Sequence, residues 1–485
     1  MPKLGWYGMQ RMTLLKHVYV AHGCGVGGGS LIYANTLLVP PDHVFDDPRW
    51  PSEDDWKGKL APHYEMAKRM LGAVEAKHTC ETDELLRSVV DDELGGGRNS
   101  FRKHTVSVFY GDGPGKTEAD PFFNGEGPER AGCIQCGECM TGCKHNAKNT
   151  LDKNYLFLAE ARGAKVIAET RVTGIHPIAG GYEITWEEST KAFGKRHGIY
   201  RARGVVVAAS VLGTVELLLK CRENGSLPRL SNELGNYVRT NAETFAGVRT
   251  DRADADYSKG IAITSGVTTR EGTHVEAVRW GRGHDFIGLN VTILTGAGGG
   301  VPRWLRWLGG ILRHPAKFVR TLRFKGWAQQ SVLLMGMRSS PSFFRLKLRN
   351  KVTGRHVDTV LAEGEMPETY MPDMQEVALK MAEKIGGEAQ GGFAEAILDR
   401  ATTAHILGGA TMGRGPEDGV CDEYGQVLGY DNLYVCDGSL VPANLTVNPS
   451  LTITALSEHV MSHIPVKEGA SPRPVLFSPS RDYAN

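Results

Sequence analysis

The spacing of hydrophobic residues predicts strands that alternate with helices along this chain. The apolar run at 18–21 leads into a glycine-rich segment, which is typical of a strand followed by a tight turn. A β-branched run at 204–209 is typical of a buried parallel strand, and the apolar spacing from Thr214 onward predicts a helix directly after it. A strand, a small-residue turn and a helix in this order form the βα unit that holds dinucleotides.

The other predicted elements are placed by the same patterns. Segment 41–75 predicts a polar helix with a buried stripe of large side chains. That stripe consists of Trp50, Trp56, Tyr64 and Met70. Residues 91–130 are rich in glycine and proline and predict surface loops. A further helix is predicted at 151–162, with strands at 165–168 and 170–173.

One stretch combines basic residues with tryptophan and leucine. Residues 286–357 contain no Asp or Glu, and within 302–327 arginine and lysine are interleaved with large apolar residues. This pattern is typical of a helix that lies in a membrane surface, with its cations toward anionic headgroups. It equally fits a cap helix whose apolar side chains pack inward. Pro315 divides the stretch into two short helices under either interpretation.

Composition narrows the class of protein. The chain has 485 residues, 41% of them hydrophobic, and 56 Lys+Arg against 55 Asp+Glu give a formal charge of +1. These values indicate a globular protein with more than one folding unit, and they exclude a nucleic-acid binder that works by bulk charge attraction. The 60 glycines, about 12% of the chain against roughly 7% on average, favour close approach of backbone to a ligand.

Four of the nine cysteines fall within eleven residues. Cys133, Cys136, Cys139 and Cys143 have the C-x2-C-x2-C-x3-C spacing of bacterial ferredoxins, which predicts a [4Fe–4S] or [3Fe–4S] cluster. Zinc fits this spacing less well, because its structural sites usually join two separated knuckles. The alternative is that four reduced or partly disulfide-linked thiols stiffen a loop.

The first residues of the chain and its hydropathy predict where in the cell the protein is located. The first residues lack the basic-then-apolar pattern of a signal peptide, and no run of eighteen apolar residues occurs. We therefore expect a cytoplasmic protein. If 302–327 binds lipid, the protein lies peripherally at the inner face of the membrane.

Four motifs occur in an order that resembles a known family. They are Val26-Gly-Gly-Gly-Ser-Leu31, Ala404-His-Ile-Leu-Gly-Gly409, Leu433-Tyr-Val-Cys-Asp-Gly438 and Val447-Asn-Pro-Ser-Leu-Thr-Ile-Thr-Ala-Leu456. Together they are similar to the glucose–methanol–choline (GMC) flavoprotein oxidoreductases, most closely to the cholesterol-oxidase-like branch. The resemblance implies an α/β fold with a Rossmann-like FAD-binding domain and an α+β substrate or cap domain containing an antiparallel sheet.

The resemblance also implies how the chain is divided. A discontinuous FAD-binding domain is expected at 1–40, 130–245 and 400–470, with the cysteine loop at 131–145. The cap is expected at 41–129 and 246–399, and a tail at 471–485. Family members open with a strand and G-x-G-x-x-G, and this fingerprint is not found before Gly23. We therefore expect that the sequence either starts late or is truncated, that its full-length form is the FAD-dependent enzyme, and that this polypeptide alone binds FAD poorly.

The family's FAD contacts carry over to matching positions. Gly27, Gly28, Gly29 and Ser30 offer backbone amides to a pyrophosphate or flavin edge. The other cofactor contacts implied by the resemblance are Val172 at the adenine, Ala209 after the strand, Asp437 and Gly438 near the pyrophosphate or ribitol, and Asn448 and Pro449 beside the flavin.

His405 and Asn448 are the implied catalytic pair. Alcohol oxidation moves a hydride to flavin N5 while the hydroxyl loses a proton, and an imidazole suits the proton acceptor. Asn448 would bind the substrate oxygen or polarise the flavin. A carboxylate base is not evident in the sequence, and Glu363 and Glu365 are candidates by location alone.

The expected reaction is FAD-dependent oxidation of a hydrophobic alcohol, plausibly a 3-hydroxysteroid, with a quinone or carrier protein as acceptor if the iron–sulfur cluster exists. Two alternatives stay open. One is a GMC dehydrogenase of a sugar or other polar alcohol that uses an iron–sulfur relay. The other is a truncated, non-catalytic remnant that acts as a binding module.

Overall fold

The computed structural model describes residues 7–51, 55–96, 100–191, 193–298, 300–351, 354–362, 367–470 and 476–477. The helices are α1 Trp56–Met70, α2 Glu81–Val90, α3 Tyr155–Ala161, α4 Ser210–Glu223, α5 Arg303–Arg313, α6 Pro315–Thr321, α7 Trp327–Gln330, α8 Pro372–Lys384, α9 Phe393–Leu398 and α10 Ser450–His463. The candidates Glu363 and Glu365 lie outside the described residues. So does the predicted tail at 471–485, except for residues 476–477.

The strands range from two to nine residues. They are β1 Gln10–Leu14, β2 Val18–Gly23, β3 Val74–Glu75, β4 Arg102–Lys103, β5 Thr105–Val106, β6 Thr117–Glu118, β7 Arg130–Ala131, β8 Thr170–Ile178, β9 Gly181–Glu188, β10 His197–Ala202, β11 Val205–Val207, β12 Glu243–Arg249, β13 Ser265–Thr268, β14 His274–Val278, β15 Val291–Ile293, β16 Ser331–Met337, β17 Phe344–Lys351, β18 Gly354–Leu361, β19 Glu388–Gly392, β20 Ala401–Thr403 and β21 Leu433–Val435.

The first hydrophobic core surrounds the parallel strand pairs. β11 pairs in parallel with β21, and β2 pairs in parallel with β20. Helix α4 follows β11, and α10 packs against α1 within the same core. Strands β8, β9 and β10 form an antiparallel sheet beside it. The predicted strand–helix unit at 204–223 is therefore present.

A seven-stranded antiparallel sheet forms the second part of the molecule. Its order is β15-β19-β12-β16-β14-β13-β4, and every residue of the central strand β16 is buried. One face of the sheet carries small and branched residues that pack against α2 and α8. The opposite face carries Phe245, Met335 and Met337, which pack against Trp280 and Trp327. Both faces are covered, which explains why these strands lack simple apolar–polar alternation.

The observed helices and strands agree with some of the predicted elements and differ from others. The helix predicted at 41–75 is shorter than expected, because only Trp56–Met70 is α-helical and residues 41–51 form turns and a short 3-10 helix. All four members of the predicted stripe are buried, with Trp50 lying before α1. Pro315 begins α6 directly after α5 ends, so the basic stretch forms two short helices as predicted. The strand predicted at 165–168 is wrong, because that segment is extended or turn without a pairing partner among the described strands. The run at 204–209 is a parallel strand, but Val206 is 42% exposed, so its burial was overestimated.

Within the described part of the chain, no helix is both long enough and apolar enough to cross a membrane.

Candidate active site

Two acidic side chains stand on one face of the large sheet. β16 pairs with β12 on one side and β14 on the other, and Glu243 and His274 both lie opposite Met337. Glu276 lies opposite Met335 in the same way. Because paired residues share a face and residues two apart return to it, Glu243, His274 and Glu276 all project from the face that carries Met335 and Met337. Both glutamates are fully buried.

Glu243 holds His405. Oε1 of Glu243 contacts Nδ1 of His405, and Oε2 accepts a 2.6 Å hydrogen bond from the backbone N–H of Ala404. The backbone N–H of His405 also donates to Oγ1 of Thr403 at 2.9 Å. Since a carboxylate oxygen only accepts, Nδ1 carries a proton, and in the neutral ring Nε2 presents its lone pair. The His405 side chain is 13% exposed, so the ring can be reached.

Glu276 holds Asn448. Nδ2 of Asn448 donates to Oε2 of Glu276 at 3.1 Å. The other oxygen, Oε1, lies 3.2 Å from Nδ1 of His104 and 3.3 Å from Nε2 of His274. The amide orientation of Asn448 is thereby set, with Oδ1 buried and without a donor among the described residues. A buried acceptor that has no donor within the protein can accept a hydrogen bond from a hydroxyl or N–H of a ligand.

One short segment attaches both catalytic loops to the sheet. Thr240 O accepts from Oγ1 of Thr403 at 3.0 Å, beside His405. Asn241 Nδ2 donates to Val447 O at 2.9 Å, and Asn241 Oδ1 accepts from Thr446 N at 2.8 Å, beside Asn448. Asn241 has φ 57°, in the left-handed region that asparagine tolerates. The loops that carry the predicted pair are therefore fixed to consecutive residues that lead into β12.

The surrounding charges set the protonation states. Burial alone would lower the pKa of His405, but the charge and hydrogen bond of Glu243, with the charge of Glu276, together raise it. Burial alone would raise the pKa of Glu276, but hydrogen bonds and charge from His274, the charge of His104 and the hydrogen bond from Asn448 lower it. Glu276 is therefore ionised at neutral pH, and His405 is a stronger base than an ordinary buried histidine.

The glycine turn near the start forms an open cradle. Gly27 and Gly28 have positive φ values of 103° and 56°, which glycine adopts without strain. A Cβ on Gly28 or Gly29 would meet nothing within 4 Å, so these backbones border open space. Ser30 is committed internally, since Oγ donates to Gly27 O at 2.6 Å and accepts from Leu151 N at 2.9 Å. The glycine backbones fit a bound phosphate or flavin, while the Ser30 hydroxyl maintains the turn.

Asp437 connects the ends of the two parallel strands. Its carboxylate accepts from Ser439 N at 2.8 Å and from Thr214 Oγ1 at 2.5 Å, which joins the turn after β21 to α4. Burial raises its pKa, against hydrogen bonds that lower it. Ala209 is exposed at the start of α4, and its backbone N–H donates to Thr214 Oγ1 at 3.1 Å. The carboxyl ends of the parallel pair are where this fold class binds ligands.

The remaining predicted cofactor residues are Val172, Gly438 and Pro449, which lie on a strand, in a turn and before a helix. Val172 lies on β8 and is 40% exposed, open to a ligand. The Gly438 carbonyl accepts from Gly408 N at 2.9 Å, which ties this turn to the loop carrying His405. Pro449 is the cap residue before α10, so Asn448 directly precedes a helix start.

The cysteine loop is compact, and its four thiols are free. Cys139 is buried, and Cys133 and Cys143 pack against the same small hydrophobic cluster. Among the described residues, two sets of three metal-binding side chains have donor atoms within 4.8 Å of one another, and neither contains two cysteines. Iron–sulfur ligation by all four thiols stays a prediction.

A cavity of about 640 Å³ opens beside the segments that lead to Glu243 and Asn448. Arg239 and Asn444 line it from the segments that lead to Glu243 and Asn448. His405, Asn448 and Glu276 are not among its lining residues, so it is separate from the candidate active site.

Four residues of the site are not indicated by the predicted motifs. Glu243, Glu276, His104 and His274 are assembled by sheet pairing between distant segments, which spacing along the chain does not reveal. One signal was present for two of them: His274 and Glu276 alternate with Val275 and Ala277. When both faces of a sheet are covered, polar residues at alternate strand positions are buried, and buried polar residues indicate a candidate functional site.

The fold and this site define a flavin-dependent alcohol oxidoreductase. Residues 128–222 and 357–457 match the N-terminal and C-terminal models of the GMC oxidoreductases. The chain is 41% identical over 478 residues to a cholesterol oxidase of Acinetobacter baumannii, covering 96% of this chain and 85% of that protein. It is 42% identical over 498 residues to a cholesterol oxidase of Mycobacterium tuberculosis (strain H37Rv), covering 100% and 85%.

A solved structure of similar fold is pyridoxine 4-oxidase from Mesorbium loti, with TM-score 0.55 and 13% identity over 96% of this chain and 90% of that one. The chain therefore belongs to the GMC oxidoreductase family, and FAD is the cofactor of that family. The predicted class, the predicted fold and FAD as cofactor are confirmed, while the relatives do not support the predicted iron–sulfur cluster.

Proposed function

We propose that this enzyme oxidises a secondary alcohol on a large hydrophobic molecule of the 3-hydroxysteroid class. Bound FAD supplies the hydride acceptor. The observation that carries the proposal is the attachment of His405 and Asn448 to two buried glutamates on one sheet face. The names of the relatives at 41% and 42% identity support a sterol as the substrate.

His405 accepts the hydroxyl proton. Nδ1 is occupied by Glu243, so Nε2 is the atom that faces the substrate oxygen. Two anionic neighbours stabilise the imidazolium that forms, which lowers the barrier to proton loss while the hydride departs. Glu276 is not the direct acceptor, because both of its oxygens are already engaged and it has no exposed surface.

Asn448 orients the reacting group. Glu276 fixes Nδ2, so Oδ1 points to a donor that the protein does not supply within the described residues. A substrate hydroxyl or a ring N–H of the cofactor satisfies that oxygen. Positioning of this kind is worth several kcal/mol when the reacting atoms are held at contact distance.

Anaerobic mixing of the flavin-loaded enzyme with candidate alcohols tests the substrate class. A 3-hydroxysteroid is expected to bleach the flavin absorbance in a single turnover, while glucose and a short polar alcohol leave it unchanged. Bleaching by the polar alcohols alone would favour the polar-alcohol alternative. If none of them bleaches a folded, flavin-loaded protein, the catalytic proposal is wrong. Failure of the 485-residue chain to retain FAD would instead support the expectation of weak binding.

The exposed face of α5 and α6 suits collection of such a substrate from a lipid surface. Trp304, Leu308 and Leu312 are 50%, 42% and 76% exposed, while Trp307 turns inward and donates to Thr292 Oγ1 at 2.8 Å. Cations of the acid-free stretch follow these residues in the sequence, namely Arg313, Lys317, Arg323 and Lys325, while Arg320 is paired with Glu388 at 2.9 Å. An apolar face flanked by cations fits the surface of an anionic bilayer.

The helix also begins close to the catalytic face of the sheet. Arg303, its first residue, acts electrostatically on Glu395, which accepts a 3.1 Å hydrogen bond from Phe245 N on the strand that carries Glu243. A substrate leaving a membrane at α5 would therefore enter near the site.

The double variant Leu308→Glu/Leu312→Glu is expected to weaken binding to phosphatidylcholine–phosphatidylglycerol vesicles by tenfold or more, because two exposed leucines lose transfer free energies of about 1.5–3 kcal/mol each. Vesicle cosedimentation measures the change. Leu379→Glu, at a leucine 56% exposed on α8, is the matched control and should leave binding unaltered. Equal sedimentation of wild type and double variant would contradict the proposed surface.

A further inference from the structure

A thiol, a carboxylate and an imidazole converge on the cysteine loop. The ligand atoms of Cys136, Glu138 and His145 lie within 4.8 Å of one another, and all three side chains are partly accessible. Nε2 of His145 lies 4.0 Å from Oε2 of Glu138. These are the three donor types that zinc binds most often in proteins.

A fourth donor reaches the same carboxylate from a distant segment. Nε2 of His284 lies 3.5 Å from Oε1 of Glu138, and the side chains of His284 and Glu138 are 30% and 13% exposed. At ordinary zinc bond lengths a tetrahedral site separates neighbouring ligand atoms by about 3.3–3.7 Å. His145 lies nearest Oε2 of Glu138 and His284 nearest Oε1. His284 stands outside the group of three whose donor atoms all lie within 4.8 Å of one another, so its side chain must turn toward the other donors to complete a four-coordinate site.

Tight backbone packing preforms this arrangement. Gly137 has φ 73°, and a Cβ there would lie 2.4 Å from Ser258 O. A Cβ on Gly281 would lie 2.5 Å from Cγ of Glu138. His284 N donates to Gly281 O at 3.0 Å, which forms the turn that presents its ring. The two glycines allow the cysteine loop and the 281–284 turn to meet at Glu138.

We propose that Cys136, Glu138, His145 and His284 bind one zinc ion. A thiolate and a carboxylate balance the two positive charges of the ion, and two neutral imidazoles complete the four-coordinate set. All four positions are then taken by protein, so the ion is structural. Nζ of Lys144 lies 3.1 Å from Oε1 of Glu138, so a bound ion would displace this ammonium from the carboxylate.

The site joins two parts of the molecule. Cys136, Glu138 and His145 belong to the cysteine loop, while His284 follows β14, the strand that carries Glu276. One ion therefore links this loop to the segment that follows strand β14 of the large sheet. This ligand set shares only Cys136 with the four thiols predicted to hold iron and sulfur, so the two assignments are separable by single substitutions.

Metal content of the purified 485-residue protein tests the proposal. After incubation with zinc chloride and removal of excess, we expect about one zinc per chain in the wild type, and background zinc in Cys136→Ser and in His145→Ala. His284→Ala should retain zinc less tightly in competition with a chromogenic chelator. Cys133→Ser is the matched control, because it removes a neighbouring thiol outside the set and should keep its zinc.

Cobalt substitution supplies a measurement that does not depend on variants. Wild-type protein loaded with cobalt chloride should show a thiolate-to-cobalt charge-transfer absorption of one cysteine, which Cys133→Ser keeps. Absence of both zinc retention and this absorption would overturn the proposal. Iron with acid-labile sulfide in the purified protein, lost in Cys133→Ser, would also overturn it and establish the iron–sulfur assignment instead.

Discussion

Replacing His405 by alanine is expected to slow flavin reduction by the alcohol substrate by about 10²–10⁴-fold, the usual contribution of a positioned proton acceptor. The expectation depends on the geometry of the ring, since Glu243 occupies Nδ1 and leaves Nε2 for the hydroxyl. Anaerobic stopped-flow absorbance of the flavin measures the rate directly. Substrate affinity should change little, because the alanine variant loses a proton acceptor rather than the hydrophobic pocket.

A structural role for His405 would give a different result. Added imidazole should restore part of the rate in His405→Ala, because a free base can then occupy the vacated space. His314→Ala, at an exposed histidine that precedes α6 and makes no side-chain capping hydrogen bond, is the control and should react at the wild-type rate. Loss of flavin or substrate binding with an unchanged reduction rate would rule out proton transfer by His405.

Substituting Glu243 by glutamine is expected to produce a comparable loss, about 10²–10⁴-fold, through the tautomer of His405. Glutamate accepts the Nδ1 proton, whereas the glutamine amide can donate to Nδ1 and move the proton to Nε2, where it blocks acceptance from the substrate. Glu243 is therefore a positioning residue. Single-turnover flavin reduction measures the effect.

The pH dependence separates this role from simple packing. Glu243 raises the pKa of His405 against the lowering effect of burial. His405 must be neutral to accept a proton, so activity falls as pH drops through its pKa. Removing the Glu243 charge lowers that pKa, and the acid limb of the rate profile should move to lower pH. An unchanged acid limb would show that the charge of Glu243 does not act on the reacting group.

Glu395→Gln is the matched control for this variant. Glu395 is also buried, and burial, with a smaller contribution from the charge of Glu243, raises its pKa to about 8 against the opposing effects of Arg303 and the Phe245 N–H. It is therefore mainly neutral at pH 7, and glutamine resembles the neutral acid in size and polarity. The Glu395→Gln enzyme should keep the wild-type rate and acid limb.

Short-range patterns carried a large part of the fold. The parallel strand and helix at 204–223, the division of the basic stretch at Pro315 and the buried face of α1 with Trp56, Tyr64 and Met70 follow from residue order alone, since propensity and periodicity act over a few neighbouring residues. The wrong strand prediction at 165–168 also comes from relying on short-range patterns. Its apolar residues have strand propensity, but no neighbouring strand supplies the hydrogen bonds.

The sequence by itself determined the family, the cofactor class and two members of the candidate site, because His405 and Asn448 lie within contiguous motifs. Only the tertiary structure showed that Glu243 and Glu276 hold them, since strands from separate segments must pair before these carboxylates share a face. The same holds for His284, which meets Glu138 across the molecule. Contacts between residues far apart in the chain depend on register and packing, and neither is encoded in local spacing.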